Sequence, residues 1–241
     1  MDKPEMILFD YGQTLISQEK FDGIKGTEEV LKHAVKNKYH LSAAQVQSEA
    51  DKINQELGRY DPMKRHLFQV EVPNYMFTAY LYESLGIEVP LTAEEVDRIF
   101  WDAAAPGTPT RGIEEFLAYL HREGIRTGVI SNIAFAGKVV EERINNLIPN
   151  NHFEFIIATS EYLYRKPNKR IFNLALEKAE LQADQVWYIG DQYECDVVGA
   201  RNAGMFPVWY IGAIDLPYEE KEDVVTVKEW VALKRLMEVN R

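Results

Sequence analysis

The side chains in this sequence that could do chemistry together stand at the ends of short apolar runs. Asp10 follows Met6-Ile7-Leu8-Phe9, Ser131-Asn132 follow the run Thr127 to Ile130, Thr159-Ser160 close the run from Phe153, and Asp191 follows Val186 to Gly190. Asp196 lies shortly beyond Asp191, and Lys166 sits in Arg165-Lys166-Pro167. Carboxylates gathered without histidine or cysteine form a hard, all-oxygen donor set, which suits Mg²⁺ better than zinc. Such a cation, with a lysine and hydroxyl donors beside it, stabilises the charge that develops on a phosphoryl group during transfer. Asp10 could then act as a carboxylate nucleophile.

The elements that would gather these residues can be read from periodicity. Met6–Phe9 reads as a strand buried on both faces. After Pro106-Gly107-Thr108-Pro109, strand-like runs (127–130, 153–159, 186–189 and 207–211) alternate with helical ones (113–123, 135–146, 169–179 and 196–203). That alternation predicts right-handed crossovers and a doubly wound, mainly parallel α/β sheet of Rossmann-like type. The segment from Val224 to Val239 reads as a last strand and helix. From Phe21 to Ala105 the spacing is helical instead (Val30-Leu31-Ala34-Val35, 43–57, 63–85 and 96–101), with no strand expected. Ser42 with Gln45 and Thr92 with Glu95 have the spacing of capping boxes. A four-residue strand cannot stand alone, so the first strand must join the later sheet. The expected division is therefore an α/β core of residues 1–15 and 109–241 and an inserted α-helical cap of residues 16–108. Ligands in open α/β sheets bind beyond the carboxyl ends of the strands, and an insertion leaving the first strand would lie over that crevice.

Composition excludes other classes. The chain has 241 residues and a net charge of −11, which disfavours phosphate backbones and anionic membrane surfaces, so neither nucleic acid nor membrane is an expected partner. Apolar residues at 46% and charged ones at 27% are globular values. Cys195 is the only cysteine, which excludes an intrachain disulfide, and a carboxylate at Asp196 makes it an inert thiol. The polar start and the short first apolar run carry no signal-peptide or membrane-span pattern, so the expected compartment is cytoplasmic. The five histidines show no metal-ligand spacing, and no dinucleotide or P-loop glycine pattern occurs. Oligomeric state has no signal in the sequence.

Asp10-Tyr11-Gly12-Gln13-Thr14-Leu15, Ser131-Asn132, Lys166-Pro167 and Gly190-Asp191 through Asp196 resemble, in order, the four motifs of the haloacid dehalogenase-like hydrolase superfamily. The resemblance implies Asp10 as nucleophile, Lys166 as the cation steadying nucleophile and phosphate, and Thr14, Ser131 and Asn132 as substrate contacts. It also implies Asp10, the Gly12 carbonyl, Asp191 and Asp196 as ligands to Mg²⁺, and a small phosphorylated metabolite as substrate.

One departure bears directly on the chemistry. Phosphatases of this superfamily usually carry a second Asp two residues after the nucleophile, as acid and then base; here that position is Gly12. General acid–base catalysis contributes roughly 10²–10⁴ in rate. Glycine could serve a turn that needs positive φ, or it could mark a change of chemistry. In the second case the readings are a leaving group that needs no proton, such as that of an acyl phosphate, an acid supplied by the cap, or a phosphate-binding protein without turnover. A phosphonate-cleaving site would need a cap lysine as Schiff base, for which Lys20, Lys25, Lys52 and Lys64 are the candidates. Halide-removing members place an aromatic residue one position later than Tyr11.

Overall fold

The computed structural model describes residues 3–59, 68–213, 219 and 221–239. Strand β1 (Met6–Phe9) is wholly buried, and its side chains alternate: Ile7 and Phe9 enter one hydrophobic cluster, Met6 and Leu8 the other. A strand with two apolar faces can only lie inside a sheet covered on both sides. It does so in a six-stranded sheet with β6 (Arg126–Ser131), β7 (Phe153–Ala158), β8 (Val186–Gly190), β9 (Phe206–Tyr210) and β10 (Val225–Val227). The order is β10-β9-β8-β1-β6-β7, and every pairing is parallel. The doubly wound α/β architecture expected from the sequence is therefore present.

Helices α5 (Ile113–Arg122), α6 (Gly137–Leu147) and α9 (Trp230–Val239) cover the face of Ile7 and Phe9 through Phe116, Leu120, Val140, Ile144, Trp230 and Leu233. Helix α7 (Lys169–Ala179) covers the opposite face through Ile171, Phe172 and Ala175. Phe9 also meets the rings of Phe116, Phe153 and Trp230 edge-on at 5.9–6.4 Å, which fixes the last residue before Asp10.

The helical segment between β1 and β6 contains α1 (Gly23–Leu31), α2 (Ala43–Glu56), α3 (Asn74–Ser84) and α4 (Ala93–Ala104). These helices pack on a cluster of their own that includes Val30, Val46, Leu81, Tyr82 and Val96. Both capping boxes form as the spacing predicts. The expectation that this stretch lacks strands is corrected: β3 (Lys36–Asn37) pairs antiparallel with β4 (Ile87–Glu88). Two-residue strands are too short to show a period in sequence. At the two ends of the segment β2 (Ile16–Gln18) pairs antiparallel with β5 (Gly107–Pro109). Gly107 is needed there because a Cβ would stand 2.7 Å from Ile16 Cγ2.

The helix expected over 63–85 begins only at Asn74; residues 63–67 lie outside the described residues. Before it, Gln69-Val70-Glu71-Val72-Pro73 alternates polar and apolar, and residues preceding proline favour extended backbone. Residues 69–71 accordingly lie antiparallel to 163–165, with Glu71 N–H donating to Leu163 C=O at 3.1 Å and Arg165 N–H to Gln69 C=O at 2.9 Å. The helix expected over 196–203 is also altered: a π-helical turn spans Tyr193–Val198, and α8 (Gly199–Asn202) follows it.

Candidate active site

The sheet brings its functional side chains to one edge because β1 is flanked by β6 and β8. Phe9 pairs with Val129 and Ile189, so Asp10, Ser131 and Asp191 all emerge at the carboxyl end of neighbouring strands. The Asp10 backbone N–H donates to Ile189 C=O at 2.8 Å, which fixes the start of the turn that follows.

Lys166 reaches into this edge from the loop between β7 and α7. Its buried Nζ donates to Asp10 Oδ1, Asp196 Oδ1 and the Tyr188 hydroxyl, each at 2.7 Å. An ammonium has three protons, and here each has a separate acceptor. Tyr188 passes the chain on by donating to Ile130 C=O at 3.0 Å. The Lys166 backbone is held by Asn132, whose Oδ1 accepts from Lys166 N–H and whose Nδ2 donates to Lys166 C=O, both at 2.8 Å. The peptide bond from Lys166 to Pro167 is cis. The π-helical turn has its reason here too. Asp196 Oδ2 accepts Gln192 N–H at 2.8 Å while Oδ1 serves Lys166, and Asp196 N–H donates to Gln192 C=O at 2.7 Å. A Cβ on Gly190 would overlap the Asp196 carboxylate. Irregular turns of this kind recur at functional sites, where they re-aim a side chain.

Burial works against the Lys166 ammonium, but Asp10 and Asp196 outweigh it and hold the pKa above that of an ordinary lysine. Burial raises Asp191 well above the usual carboxylate range, and the charges of Asp10 and Asp196 add to the effect. Asp196 is pushed up to about 6 by burial, with Lys166 acting in the opposite direction. The carboxylate oxygens of Asp10, Asp191 and Asp196 lie within 4.8 Å of one another, and all three residues are buried. Three carboxylates thus face one ammonium. The donor set is all oxygen and carries surplus negative charge, so it fits a hard divalent cation such as Mg²⁺, which would relieve the repulsion.

The remaining expected residues have distinct surroundings. Thr14 is fully buried; its Oγ1 has no hydrogen-bond partner, while its C=O accepts from Thr110 Oγ1 at 2.7 Å, which in turn accepts from Trp230 Nε1 at 3.0 Å. Ser131 is the buried last residue of β6. Both ends of the Asn132 amide bind the Lys166 backbone. Gly12 has a φ outside the left-handed region, so of its two readings the turn that needs positive φ is excluded. Lys25 and Lys52 are exposed and pair with Asp22 and Glu49, Lys20 is exposed, and Lys64 lies outside the described residues. The Cys195 thiol is buried and pushed up to about 11, first by burial and then by Asp196, consistent with an inert group.

Sequence reading missed Tyr188, Gln192, Glu71 and Arg165. Tyr188 carries the only visible signal, a hydroxyl within an otherwise apolar strand. Glu71, from the helical segment, accepts from Thr159 Oγ1 at 2.6 Å and from Arg165 Nη1 at 3.0 Å. Thr159 also accepts Ile133 N–H at 3.0 Å, which binds this pair to the loop that follows Ser131-Asn132.

Comparison with known proteins agrees with this geometry. A family model described as haloacid dehalogenase-like hydrolase matches residues 7–210. A glyceraldehyde 3-phosphate phosphatase from Pyrococcus furiosus is 30% identical over 134 residues, covering 53% of this chain and 52% of that protein. The chain thus spans about half the length of the curated relatives it matches. Among solved structures, a HAD phosphatase from Thermococcus onnurineus has a TM-score of 0.64 at 18% identity, covering 96% of this chain and 97% of that one. A 2-haloacid dehalogenase from Pseudomonas syringae has a TM-score of 0.63 at 17% identity over 100% of both chains. Structures of two chemistries match about equally, so likeness of fold does not choose between them.

Proposed function

The chain belongs to the haloacid dehalogenase-like hydrolases, and from that premise we propose that it is a Mg²⁺-dependent hydrolase of small phosphorylated metabolites, acting through an aspartyl-phosphate on Asp10. The observation that carries this reading is the buried Lys166 ammonium bonded at 2.7 Å to both Asp10 and Asp196, with Asp191 completing an all-oxygen cluster. Lys166 fixes the rotation of the Asp10 carboxylate and stays cationic beside an anionic phosphoryl group. The unpartnered Thr14 hydroxyl and Ser131 supply donors to phosphoryl oxygens. Asp10, the Gly12 carbonyl, Asp191 and Asp196 are the groups that would hold Mg²⁺, which supplies charge neutralisation to the transferring group. Residues 16–108 act as a cap that selects the metabolite and excludes water.

Phosphate release with and without Mg²⁺, for the native protein and Asp10→Asn, tests the proposal. Release that needs both the cation and Asp10 is the expected result, and unchanged release by Asp10→Asn would sink it. The absence of a carboxylate at Gly12 favours one second reading, a phosphate-binding protein without turnover. Binding of inorganic phosphate with no release from any donor would select it.

A further inference from the structure

Position 12 is not an empty place beside the nucleophile. A Cβ built on Gly12 would stand 3.1 Å from Gln18 Oε1, so the direction in which a side chain would project from residue 12 is filled by the amide of Gln18. The turn after Asp10 fixes the Gln18 backbone from which that side chain projects. Gln13 N–H donates to Ile16 C=O at 2.7 Å, and Gln13 Nε2 donates to Gln18 C=O at 3.1 Å. Strand β2 then pairs with β5, Gln18 against Gly107. A carboxamide can donate or accept a hydrogen bond, yet it neither gives nor takes a proton near neutral pH.

Among the described residues, the ionisable groups of the edge and of the helical segment beside it have partners, Asp191 accepting from Gln192 Nε2 at 3.0 Å. Lys166 holds three acceptors, and Tyr188 donates to Ile130 C=O. From the helical segment, Glu71 is bound to Arg165 and Thr159, and Asp97 accepts Asn74 Nδ2 at 2.6 Å and Ala136 N–H at 2.7 Å.

We propose that the site takes phosphoryl groups from donors whose leaving oxygen needs no proton, namely acyl phosphates, in preference to alkyl phosphate monoesters, and that Gln18 occupies the place of the missing acid. The inference rests on the reading of Asp10 as nucleophile and names its substrate class. An Asp10 carboxylate oxygen forms a bond to phosphorus while the bond from phosphorus to the acyl oxygen breaks. That oxygen departs with the electron pair as a carboxylate, the stable form of a group whose pKa lies near 4. One carboxylic–phosphoric anhydride is exchanged for another, and no proton moves. An alkoxide leaving group has no such stability and needs a proton in the transition state. In the second step a water oxygen bonds to phosphorus as the bond from phosphorus to the Asp10 oxygen breaks, Asp10 leaves as carboxylate, and both water protons depart with the phosphate as H2PO4⁻, which exchanges one of them with solvent. The missing group would also have accepted a water proton, so the aspartyl-phosphate breaks down slowly and accumulates.

The test uses the full chain with Mg²⁺, mixed with acetyl phosphate or with glycerol 1-phosphate. Native protein should release acetate in a burst of about one equivalent per site, gain the mass of one phosphoryl group, and then turn over slowly. Its kcat/KM for glycerol 1-phosphate should be lower by about 10²-fold or more. Gln18→Glu places a carboxyl in the same volume without altering the backbone, and Gly12→Asp meets only the movable end of Gln18. At least one of these should raise hydrolysis of glycerol 1-phosphate by about 10² and shorten the burst. Equal rates on the two donors in the native protein, with Asp10→Asn inactive, would overturn the substrate class and leave Asp10 as nucleophile. So would esters that stay slow in both carboxyl variants. Loss of neither burst nor turnover in Asp10→Asn, or no reaction with either donor, would overturn both.

Discussion

Lys166 is surrounded by acceptors it cannot leave without exposing two buried carboxylates to each other. The electrostatics around it give a pH dependence with a definite sign. Asp196 is pushed up to about 6 in the fold from 3.8 as an ordinary aspartate, with burial as the largest cause, and Asp191 is also raised well above the ordinary value by burial first. Between those values the folded protein keeps a proton that the unfolded chain has lost. Stability of the metal-free protein therefore falls as pH rises from about 4 to about 6 through Asp196, and Asp191 carries the fall on in the same direction. A divalent cation binds the ionised forms, so its stabilising effect grows over the same window. Thermal unfolding with and without Mg²⁺ should show a larger Tm increase at about pH 7 than at about pH 5. An equal or smaller increase at the higher pH would remove these carboxylates as the cation's seat. Asn132 offers a second test at this scale, because it touches Lys166 only through the backbone. Asn132→Ala removes two hydrogen bonds, worth roughly 1–3 kcal/mol together. It should lower kcat while leaving KM for the phosphoryl donor nearly unchanged, since the partner of the Asp10 carboxylate is displaced rather than a substrate contact removed. A rise in KM alone would return Asn132 to the role of substrate contact that its motif suggests.

At the scale of elements, the short ladder between residues 69–71 and 163–165 ties the helical segment to the loop that carries Lys166. Glu71 is its buried charge, shared among Arg165, Thr159 and the buried Arg59. Glu71→Gln keeps the shape and removes the charge opposite the Arg165 guanidinium, and breaking one side of a buried pair is destabilising by about 3–5 kcal/mol. Urea unfolding should show a loss of at least about 2 kcal/mol; a change below about 0.5 kcal/mol would mean that the ladder alone holds the segments together. The sequence made some of these elements legible and hid others for physical reasons. Apolar runs ending in Asp10, Ser131 and Asp191 were readable because a parallel sheet buries both strand faces and leaves polar groups at one edge. The capping boxes at Ser42 and Thr92 were readable because each is a local bargain between residues three apart. The ladder at 69–71 was hidden because its alternation is three residues long and its partner is distant in sequence. The π-helical turn was hidden because it follows from where Lys166 and Gln192 hold Asp196, a tertiary constraint without local signature. The two readings of Gly12 stayed open in the sequence, since a residue type does not reveal the backbone angle it adopts.

For the molecule as a whole, the question is how two separately packed bodies of side chains stay in register around one site. Helix α4 lies along α6, and residues a turn apart on α4 meet α6 in sequence: Glu94 with Lys138, Arg98 with Glu142, and Asp102 with Arg143. Trp101 stacks on Phe135 at 4.7 Å between them. These pairs are not equivalent. Arg98 and Glu142 are both about 40% exposed, and such pairs contribute about 0–1 kcal/mol and weaken with salt. Arg143 is only 10% exposed in its side chain and does more than pair with Asp102. Its Nη2 donates to Ala105 C=O at 2.6 Å, its Nε donates to the Tyr11 hydroxyl at 2.9 Å, and its guanidinium lies 4.5 Å from the Trp101 ring centre. Tyr11 follows Asp10 directly, so one side chain joins the helical segment, α6 and the Asp10 turn. Arg98→Ala should therefore change stability by less than about 1 kcal/mol, with an effect that vanishes in high salt. Arg143→Ala should destabilise by about 2–4 kcal/mol, because it strands the Tyr11 hydroxyl and the Ala105 carbonyl, and salt should not mask it. It should also lower turnover at Asp10, whereas Arg98→Ala should not. Equal and salt-sensitive losses in the two variants would show that surface charge, and not the buried Arg143 junction, holds the helical segment over the sheet edge.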